Sequence, residues 1–225
     1  TEENYEREAI PETSATLKMF PAPNGLFATV KKNDTRYSVD VLDIGGEENI
    51  EVFATDQAVF APSLETNIEW SPESHKLIIP LVQNGQPTYT IVDIETKEHF
   101  SLNEATGITT VLRSPRWDAT TRDFLFFLSE QSLYRFDTRL PAAESTRLIA
   151  DNISGYDLSG NKLYYLKNDT GQVYKINGNG NDNSPTEITE SPVSINLTSP
   201  YSLIVYDDTR LSIIEELTGR LSVYN

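Results

Sequence analysis

One short pattern recurs along this chain and limits its possible folds more than any other feature. Each copy has a strand end, a turn rich in Ser, Pro, Asp, Asn or Gly, an apolar strand, a polar turn and a half-exposed strand. Self-similarity with a period in the forties is typical of folds that repeat one small unit of strands. The copies carry the following residues at the position that we take as equivalent, separated by 50, 47, 39 and 40 residues: Phe20, Trp70, Trp117, Tyr156 and Asn196.

The second strand of each unit is the element that stands out most in the sequence. Residues 77–79, 124–127, 163–165 and 203–205 are mainly aliphatic or aromatic and are bounded by turn residues. Such runs are typical of strands that are buried on both faces. About four strands per unit, at this period, are typical of propeller blades. We therefore expect an all-β fold, a β-propeller of four-stranded antiparallel blades, with about five blade units in this chain.

The units divide the chain into an N-terminal segment and one folded domain. Residues 1–14 are acidic and are expected to be flexible, and residues 15–225 are expected to form a single β-propeller domain. The sequence leaves two arrangements open, because five blades could close on themselves or form a piece of a larger ring. The predicted units are 15–62, 63–112, 113–152, 153–193 and 194–225.

Some segments do not fit the four-stranded pattern. Residues 56–65 are interpreted as an extra hairpin or an insertion between blades. Helical periodicity is nearly absent, and the two short candidate segments, 1–10 and 140–145, are predicted to be loops.

A group of residues is predicted to shape the corner between the first and second strands of a blade. Pro72 fixes φ for the reversal, while Gly25 and Gly160 supply conformational freedom at the corresponding turns. Trp70 and Trp117 are interpreted as wedges between adjacent sheets rather than as ligand platforms. The predicted corner residues are Trp70, Ser71, Pro72, Trp117, Asp118, Tyr156 and Gly160.

The charge of the chain excludes some classes of partner. The formal net charge is −16, with 18 Lys and Arg residues, which argues against nucleic acid and against an anionic bilayer surface. No run approaches the roughly 18 apolar residues of a membrane span, so no direct membrane insertion is expected. The chain has no cysteine, which excludes disulfides, thiolate metal sites and Cys nucleophiles.

The sequence contains few residues that indicate chemistry. His75 and His99 have no second histidine or carboxylate at metal-ligand spacing, and we interpret both as surface residues. Residues 177–187 have too few carboxylates for calcium and are interpreted as a flexible hairpin connection. No nucleophile elbow or phosphate-binding glycine pattern is present. We therefore predict no catalytic residue, no metal site and no cofactor.

The stretch "WSPESHKLII" at 70–79 resembles the W-S-P-D-G-K-K segment of WD40-like, TolB-type β-propeller repeats. Trp70, Ser71, Pro72 and Lys76 match that segment, whereas Glu73 and Ser74 replace its Asp-Gly. The resemblance implies a propeller fold. It also implies an interaction platform in an extracytoplasmic bacterial protein, or a gating domain ahead of a peptidase.

Two functions from different classes follow. The favoured one is a non-catalytic scaffold, located outside the cytoplasm, that binds a protein or a peptide/glycan partner through loops on one face. The alternative is a hydrolase or lyase with a polar active site at the channel mouth, which would need arginines that converge. The densest arginines are Arg113, Arg116, Arg122 and Arg135, of which the first three are the candidate binding residues.

Overall fold

The described residues form twenty-one strands and two short helices. The computed structural model describes residues 15–43, 49–59, 68–159, 162–170, 172–177, 186–187, 193–198, 201–207, 210–215 and 220–224.

The first two sheets come from the N-terminal part of the chain. Sheet 1 has the order β1-β2-β3-β4. Its strands are β1 (Ala15–Pro21), β2 (Leu26–Asn33), β3 (Arg36–Asp43) and β4 (Asn49–Thr55). Sheet 2 has the order β5-β7-β8-β9, and β6 also pairs with β7. Its strands are β5 (Ala58–Val59), β6 (Glu69–Trp70), β7 (Lys76–Gln83), β8 (Gln86–Asp93) and β9 (His99–Ser101).

Sheet 3 follows the first helix in sequence, and the second helix lies between its last two strands. It has the order β10-β11-β12-β13. Its strands are β10 (Leu112–Trp117), β11 (Phe124–Ser129), β12 (Ser132–Asp137) and β13 (Thr146–Ala150). Helix α1 (Leu102–Thr106) connects sheet 2 to sheet 3, and helix α2 (Ala142–Ser145) connects β12 to β13.

The last eight strands form one continuous sheet, whose halves we name sheets 4 and 5. Sheet 4 consists of β14 (Ile153–Ser159), β15 (Lys162–Lys167), β16 (Val173–Asn177) and β17 (Thr186–Glu187). Sheet 5 consists of β18 (Val193–Thr198), β19 (Tyr201–Asp207), β20 (Arg210–Glu215) and β21 (Arg220–Tyr224). The two halves join where β14 pairs with β21 in parallel, at Tyr156 and Arg220.

The predicted all-β class and the four-stranded antiparallel sheets are confirmed. The four apolar runs lie within β7, β11, β15 and β19. The described strands do not close into a ring, so both predicted arrangements stay predictions, as do the unit boundaries.

The loop prediction for 140–145 is wrong at its centre, because residues 142–145 form α2. The Pro141 carbonyl accepts hydrogen bonds from the amides of Glu144 and Ser145, at 2.9 and 3.0 Å. Two alanines and a glutamate after a proline suit one helical turn. The predicted loop at 1–10 lies outside the described residues.

The segment 56–65 contributes one short strand. Ala58 and Val59 of β5 pair with Val82 and Leu81 of β7, although the predicted boundary places them in the first unit. Strand β6 pairs only with the start of β7. Strand β5 therefore supplies hydrogen-bond partners to the other end of β7. Residues 60–67 lie outside the described ranges.

Three apolar clusters hold the first four sheets together. Ala28 and Val30 of sheet 1 pack with Leu77 and Ile79 of sheet 2. The second cluster joins sheets 2 and 3, and the third joins sheets 3 and 4. Because side chains alternate along a strand, each of β7 and β11 contributes to the clusters on both of its sides. This layered stacking is the packing expected of successive propeller blades.

The sheets have two loop-bearing ends. The corner end holds the turns that precede the second strands, such as 71–75 and 118–123. The hairpin end holds the two-residue turns 34–35, 84–85 and 130–131, together with the connection 102–111 between sheets 2 and 3.

Candidate functional site

The predicted corner residues Ser71 and Asp118 each accept hydrogen bonds from the corner turn of their own sheet. The Ser71 hydroxyl accepts hydrogen bonds from the amides of His75 and Lys76, at 3.2 and 2.9 Å. The Asp118 carboxylate accepts from the amide and hydroxyl of Thr120, at 2.8 and 2.9 Å. Both acceptor side chains are buried, and their bonds satisfy backbone amides of the turn. Pro72 lies in the turn that Ser71 closes, and Gly160 lies outside the described residues.

Both tryptophans pack against the sheet that precedes their own. Trp70 is buried in the cluster between sheets 1 and 2, and its indole Nε1 donates to the Phe20 carbonyl at 3.0 Å. Trp117 is buried in the cluster between sheets 2 and 3. Its Nε1 has no hydrogen-bond partner among the described residues. These positions agree with packing between sheets, and they leave neither ring available as an exposed platform.

The predicted equivalence of Tyr156 with the tryptophans is wrong in register. Trp70 and Trp117 each pair with the second residue of their second strand, and in sheet 4 that position belongs to Leu158. Tyr156 therefore lies two residues early, and by the same criterion Phe20 lies one residue early. The predicted equivalence rests on large aromatic side chains, whereas the strand pairing defines the observed register.

From this earlier position, the Tyr156 ring packs between sheets 3 and 4. Its side chain is fully buried, and its hydroxyl lies 2.8 Å from the Phe126 carbonyl and within bonding distance of the Ser114 carbonyl. The hydroxyl can donate to one of them at a time. Burial raises the pKa of Tyr156 well above its ordinary value, so the phenol stays protonated.

A charged triad lies on the inner strands, which we define as the strands that precede the corner turns. Glu69, Arg116 and Asp157 occupy the same position in β6, β10 and β14, because each pairs with the third residue of its second strand. The Arg116 guanidinium forms an ion pair with Asp157. Burial opposes its charge, but Asp157 and Glu69 outweigh that and raise the pKa of Arg116. The Glu69 carboxylate also accepts the Trp117 amide at 2.9 Å.

The candidate binding arginines do not converge. Arg113 donates to the Glu130 carbonyl at 2.6 Å, at the hairpin end of sheet 3. Arg122 is exposed at the corner end and pairs with Glu73 at 2.8 Å. Arg116 lies between them on the inner strand. The three guanidinium groups thus have three different partners at three levels of sheet 3, which does not resemble a shared anion site.

The remaining arginine, Arg135, lies on β12 with its guanidinium 4.2 Å from the centre of the Phe124 ring. Arg139 approaches the same ring at 5.6 Å and forms two hydrogen bonds with the Asp137 carboxylate, at 2.9 and 2.8 Å. Both are therefore held against the outer part of sheet 3, away from β10.

The histidines are separate. His75 lies in the corner turn, exposed, with its Nδ1 3.2 Å from the Glu95 carboxylate. His99 begins β9, and its ring makes an edge contact with Phe53 at 5.3 Å between centroids. No group of three or more His, Cys, Asp or Glu side chains in the described part of the chain could hold a metal ion. Most of 177–187, interpreted as a hairpin connection, lies outside the described residues.

An open groove lies at the hairpin end of sheet 2. Its volume is about 670 Å³, and fifteen residues line it, drawn from β7, β8, β9, α1, the segment 107–111 and Gln57, which precedes β5. Amide side chains come from Gln57, Gln83, Gln86 and Asn103. Hydroxyl side chains come from Thr88, Thr90, Ser101, Thr109 and Thr110. Glu104 is the one titratable side chain in this lining, and no aromatic side chain belongs to it.

The groove exists because the outer strand of sheet 2 is short. β9 pairs with β8 only from Thr90 to Val92, so the side of β8 near Gln86 and Thr88 stays open. The chain then forms α1, whose first turn is capped by the Ser101 hydroxyl. Gly107, with φ of 70°, ends the helix in the left-handed region that glycine adopts without strain.

Asn103 fixes the opposite wall. Its side-chain amide donates to the carbonyls of Ile108 and Thr110, at 2.8 and 3.1 Å. The Thr110 hydroxyl in turn forms a hydrogen bond with the Ser129 hydroxyl of sheet 3. A loop held at three points keeps its shape without a ligand, so the groove is formed in advance.

The groove was not predictable from the sequence. Two local signals were available, because Ser101 followed by Glu104 is a capping-box pattern and Gly107 is a typical helix end. Those signals predict the helix. The space beside β8 depends on the length of β9 relative to β8, for which no local signal exists.

The comparisons with known proteins concern the fold. No protein-family model matches the sequence, and no curated protein matches it. An oligogalacturonate lyase in complex with manganese aligns with 93% of this chain and 64% of its own, at 13% identity and a TM-score of 0.52. A prolyl endopeptidase aligns with 92% of this chain and 34% of its own, at 14% identity and a TM-score of 0.53.

Structures of TolB are among the similar ones. TolB from Acinetobacter baumannii aligns with 88% of this chain, at 15% identity and a TM-score of 0.46. The chain spans about half of that structure, 52%. The similar structures agree with the predicted propeller-type fold, and a likeness at this identity concerns the fold alone, so the activity is argued from the site. No helix among the described residues is long and apolar enough to span a membrane.

Proposed function

We propose that this chain is a non-catalytic β-propeller scaffold that binds a protein or peptide/glycan partner through the groove at the hairpin end of sheet 2. The observation that carries the proposal is the lining of the groove. Its volume of about 670 Å³ is in the range of ligand sites, and its side chains are amides, hydroxyls and apolar groups with one carboxylate. Such a lining can hydrogen-bond a polar chain but offers no acid and base pair.

The inner-strand triad supports binding over catalysis. A general base needs a pKa near the working pH and an available lone pair. Arg116 and Asp157 neutralise each other, and burial raises the pKa of Tyr89 and Tyr156 away from neutrality. The candidate arginines have separate partners instead of forming an anion clamp. The described polar groups near the inner strands thus stabilise the packing of sheets 2, 3 and 4.

A comparison of two variants tests the groove as the binding site. Gln86→Ala with Thr88→Ala removes two polar groups from the wall formed by β8. Gln131→Ala removes an exposed amide from the equivalent hairpin of sheet 3. We expect selection from a random peptide library and from a glycan array to give ligands that the double variant binds at least tenfold more weakly, and Gln131→Ala binds normally. Ligands that bind both variants equally would contradict the proposal.

The catalytic alternative has a direct test of its own. A panel of peptide, ester, glycoside and uronate substrates would be incubated with the wild type and with Arg116→Ala. Turnover by the wild type that the variant loses would overturn the scaffold proposal, since it would make the triad part of an active site.

We also propose a location outside the cytoplasm. The TolB-type resemblance of residues 70–79 supports this, and a chain without cysteine tolerates an oxidising compartment. Fractionation of the native host, with detection by antibody, measures it. A signal confined to the cytoplasmic fraction would refute this part of the proposal.

A further inference from the structure

We infer that the groove selects a peptide segment that carries a positive charge, a Lys or Arg side chain, placed opposite Glu104. The inference rests on the proposed binding function of the same groove and goes beyond it by naming the chemistry of the ligand. It follows from the position of one carboxylate, the absence of other charges from the lining, and the kinds of polar group around it.

Glu104 is held in place by its backbone. Its amide donates to the Ser101 hydroxyl at 3.5 Å, and its carbonyl accepts from the Gly107 amide at 3.3 Å. The side chain is exposed on the groove side of α1. In the described part of the chain, no Lys, Arg or His forms an ion pair with it. The groove therefore presents a carboxylate whose charge is not neutralised by a neighbouring cation.

The charge of the whole protein acts in the same direction. With a formal net charge of −16, the chain raises the local concentration of cationic ligands and lowers that of anionic ones. An anionic ligand would meet Glu104 without a compensating guanidinium or ammonium in the lining. A neutral ligand could donate hydrogen bonds to the carboxylate but would supply no opposite charge. A cationic side chain supplies that charge.

The uncharged lining favours a peptide over a glycan. Amide and hydroxyl side chains such as Gln86, Thr88 and Ser101 can donate to peptide carbonyls and accept from peptide amides. Sugar rings are commonly held by stacking on aromatic faces, and this lining has none. The groove also runs beside β8, where an extended chain matches the direction of the strand.

The inference is tested by selection followed by measured affinities. A phage-displayed library of random heptapeptides is selected on the folded wild type, and clones that also bind the Gln86→Ala, Thr88→Ala variant are removed. We expect the frequency of Lys and Arg in the remaining clones to rise at least twofold over the unselected library. Selection on Glu104→Gln should lose that enrichment.

Dissociation constants of the best synthetic peptide then separate the carboxylate from general charge. Glu104→Gln should weaken binding about two- to fivefold, the range expected for one exposed ion pair. Glu98→Gln is the matched control, because Glu98 is exposed in the turn 94–98 at the corner end and carries the same charge. It should leave the affinity unchanged. The difference should shrink at 1 M salt, where the Debye length is about 3 Å.

The possible outcomes distinguish a failure of the inference from a failure of the proposed function. Groove-dependent peptides without Lys or Arg enrichment, or equal weakening by Glu104→Gln and Glu98→Gln, would overturn the inference and leave the proposed function standing. A selection that yields no groove-dependent peptide, while a glycan binds the groove, would overturn the peptide assignment alone. No groove-dependent ligand of either kind would contradict the proposed function and the inference together. Circular dichroism of each variant checks that the fold is intact.

Discussion

Sheets 1 and 3 bury their second strands to different extents. All six residues of β11 in sheet 3 are buried. In β2 of sheet 1 only Ala28, Thr29 and Val30 are buried, although the strand has eight residues. The difference follows from what lies beside each sheet, because sheet 3 packs against sheet 2 on one face and sheet 4 on the other.

The face of sheet 1 that points away from sheet 2 shows the contrast in chemistry. Thr29 there occupies the position that Phe127 has in sheet 3. On the same face Lys31 forms an ion pair with Asp40 at 2.6 Å. Sheet 3 has buried apolar side chains at both faces, whereas the outer face of sheet 1 combines Thr29 and an ion pair with the half-buried Phe27.

The largest expected loss of stability comes from a substitution in the core of sheet 3. Phe126→Ala should cost about 3 to 5 kcal/mol of unfolding free energy, because it leaves a cavity between sheets 3 and 4. Phe27→Ala removes the same ring from the half-buried face of sheet 1 and should cost about 1 kcal/mol. Urea unfolding at 25 °C measures both. Equal losses would show that the outer face of sheet 1 is packed as closely as the interior.

The next effect compares two ion pairs of similar exposure. Asp157→Ala removes the partner of Arg116 at the junction of sheets 3 and 4, and Asp40→Ala removes the partner of Lys31. We expect about 2 to 3 kcal/mol for the first, since a guanidinium stays confined among inner strands. The second should cost about 1 kcal/mol, because the lysine can extend into water. The reverse order in chemical unfolding would remove the distinction between the two regions.

Acid should affect sheets 2 and 3 through the aspartates that end their third strands. Hydrogen bonding to the Arg139 guanidinium lowers the pKa of Asp137. Burial alone would raise the pKa of Asp93, but hydrogen bonds from the Thr96 and Glu95 amides outweigh it and lower that pKa. Because both pKa values are lower in the folded protein, each carboxylate stabilises the fold fully above the ordinary pKa of aspartate. This stabilisation is lost as the pH falls through the pKa of the folded state.

The corresponding measurement is the unfolding free energy between about pH 5 and pH 2. The wild type should lose stability over this range, and the double variant Asp93→Asn, Asp137→Asn should lose less. At pH 7 each substitution should cost about 1 kcal/mol for the weakened turn. Parallel pH profiles for wild type and variant would show that these two carboxylates do not contribute.

The smallest effect concerns exposed ion pairs. Arg36 and Glu51 pair at 2.9 Å within sheet 1, with side chains that are 59% and 50% exposed. Arg36→Gln should change the unfolding free energy by less than about 0.5 kcal/mol. Arg122→Gln, which removes the contact with Glu73 between two corners, should behave alike. A larger loss for Arg122 alone would mean that the corners of sheets 2 and 3 are mechanically coupled.

The sequence predicted the sheet architecture because the second strands carry their own signal. Runs such as 124–127 are apolar at every position, and such a strand needs neighbours on both faces. The register of Tyr156 was not predictable in the same way. A tyrosine can fill the gap between sheets from either of two positions, so its ring gives no signal of the register.

The pattern of third strands was present in the sequence and was missed. Asp43, Asp93 and Asp137 each end a third strand and pair with the first residue of the second strand. The Asp93 carboxylate accepts the Glu95 and Thr96 amides, and that of Asp137 accepts the Arg139 amide. An acidic residue after an apolar one, before each turn, would have identified these strand ends.

The two tryptophans give the molecule a pair of built-in optical reporters. Trp70 lies between sheets 1 and 2 with its indole N–H bonded to a carbonyl, and Trp117 lies between sheets 2 and 3. Indole emission shifts to longer wavelength when the ring meets water. The chain has only these two tryptophans, so replacing either by phenylalanine leaves a single fluorophore for one seam. During unfolding, the emission of each single-tryptophan variant should shift to longer wavelength when its ring reaches water. The order of the two shifts would show which pair of sheets separates first.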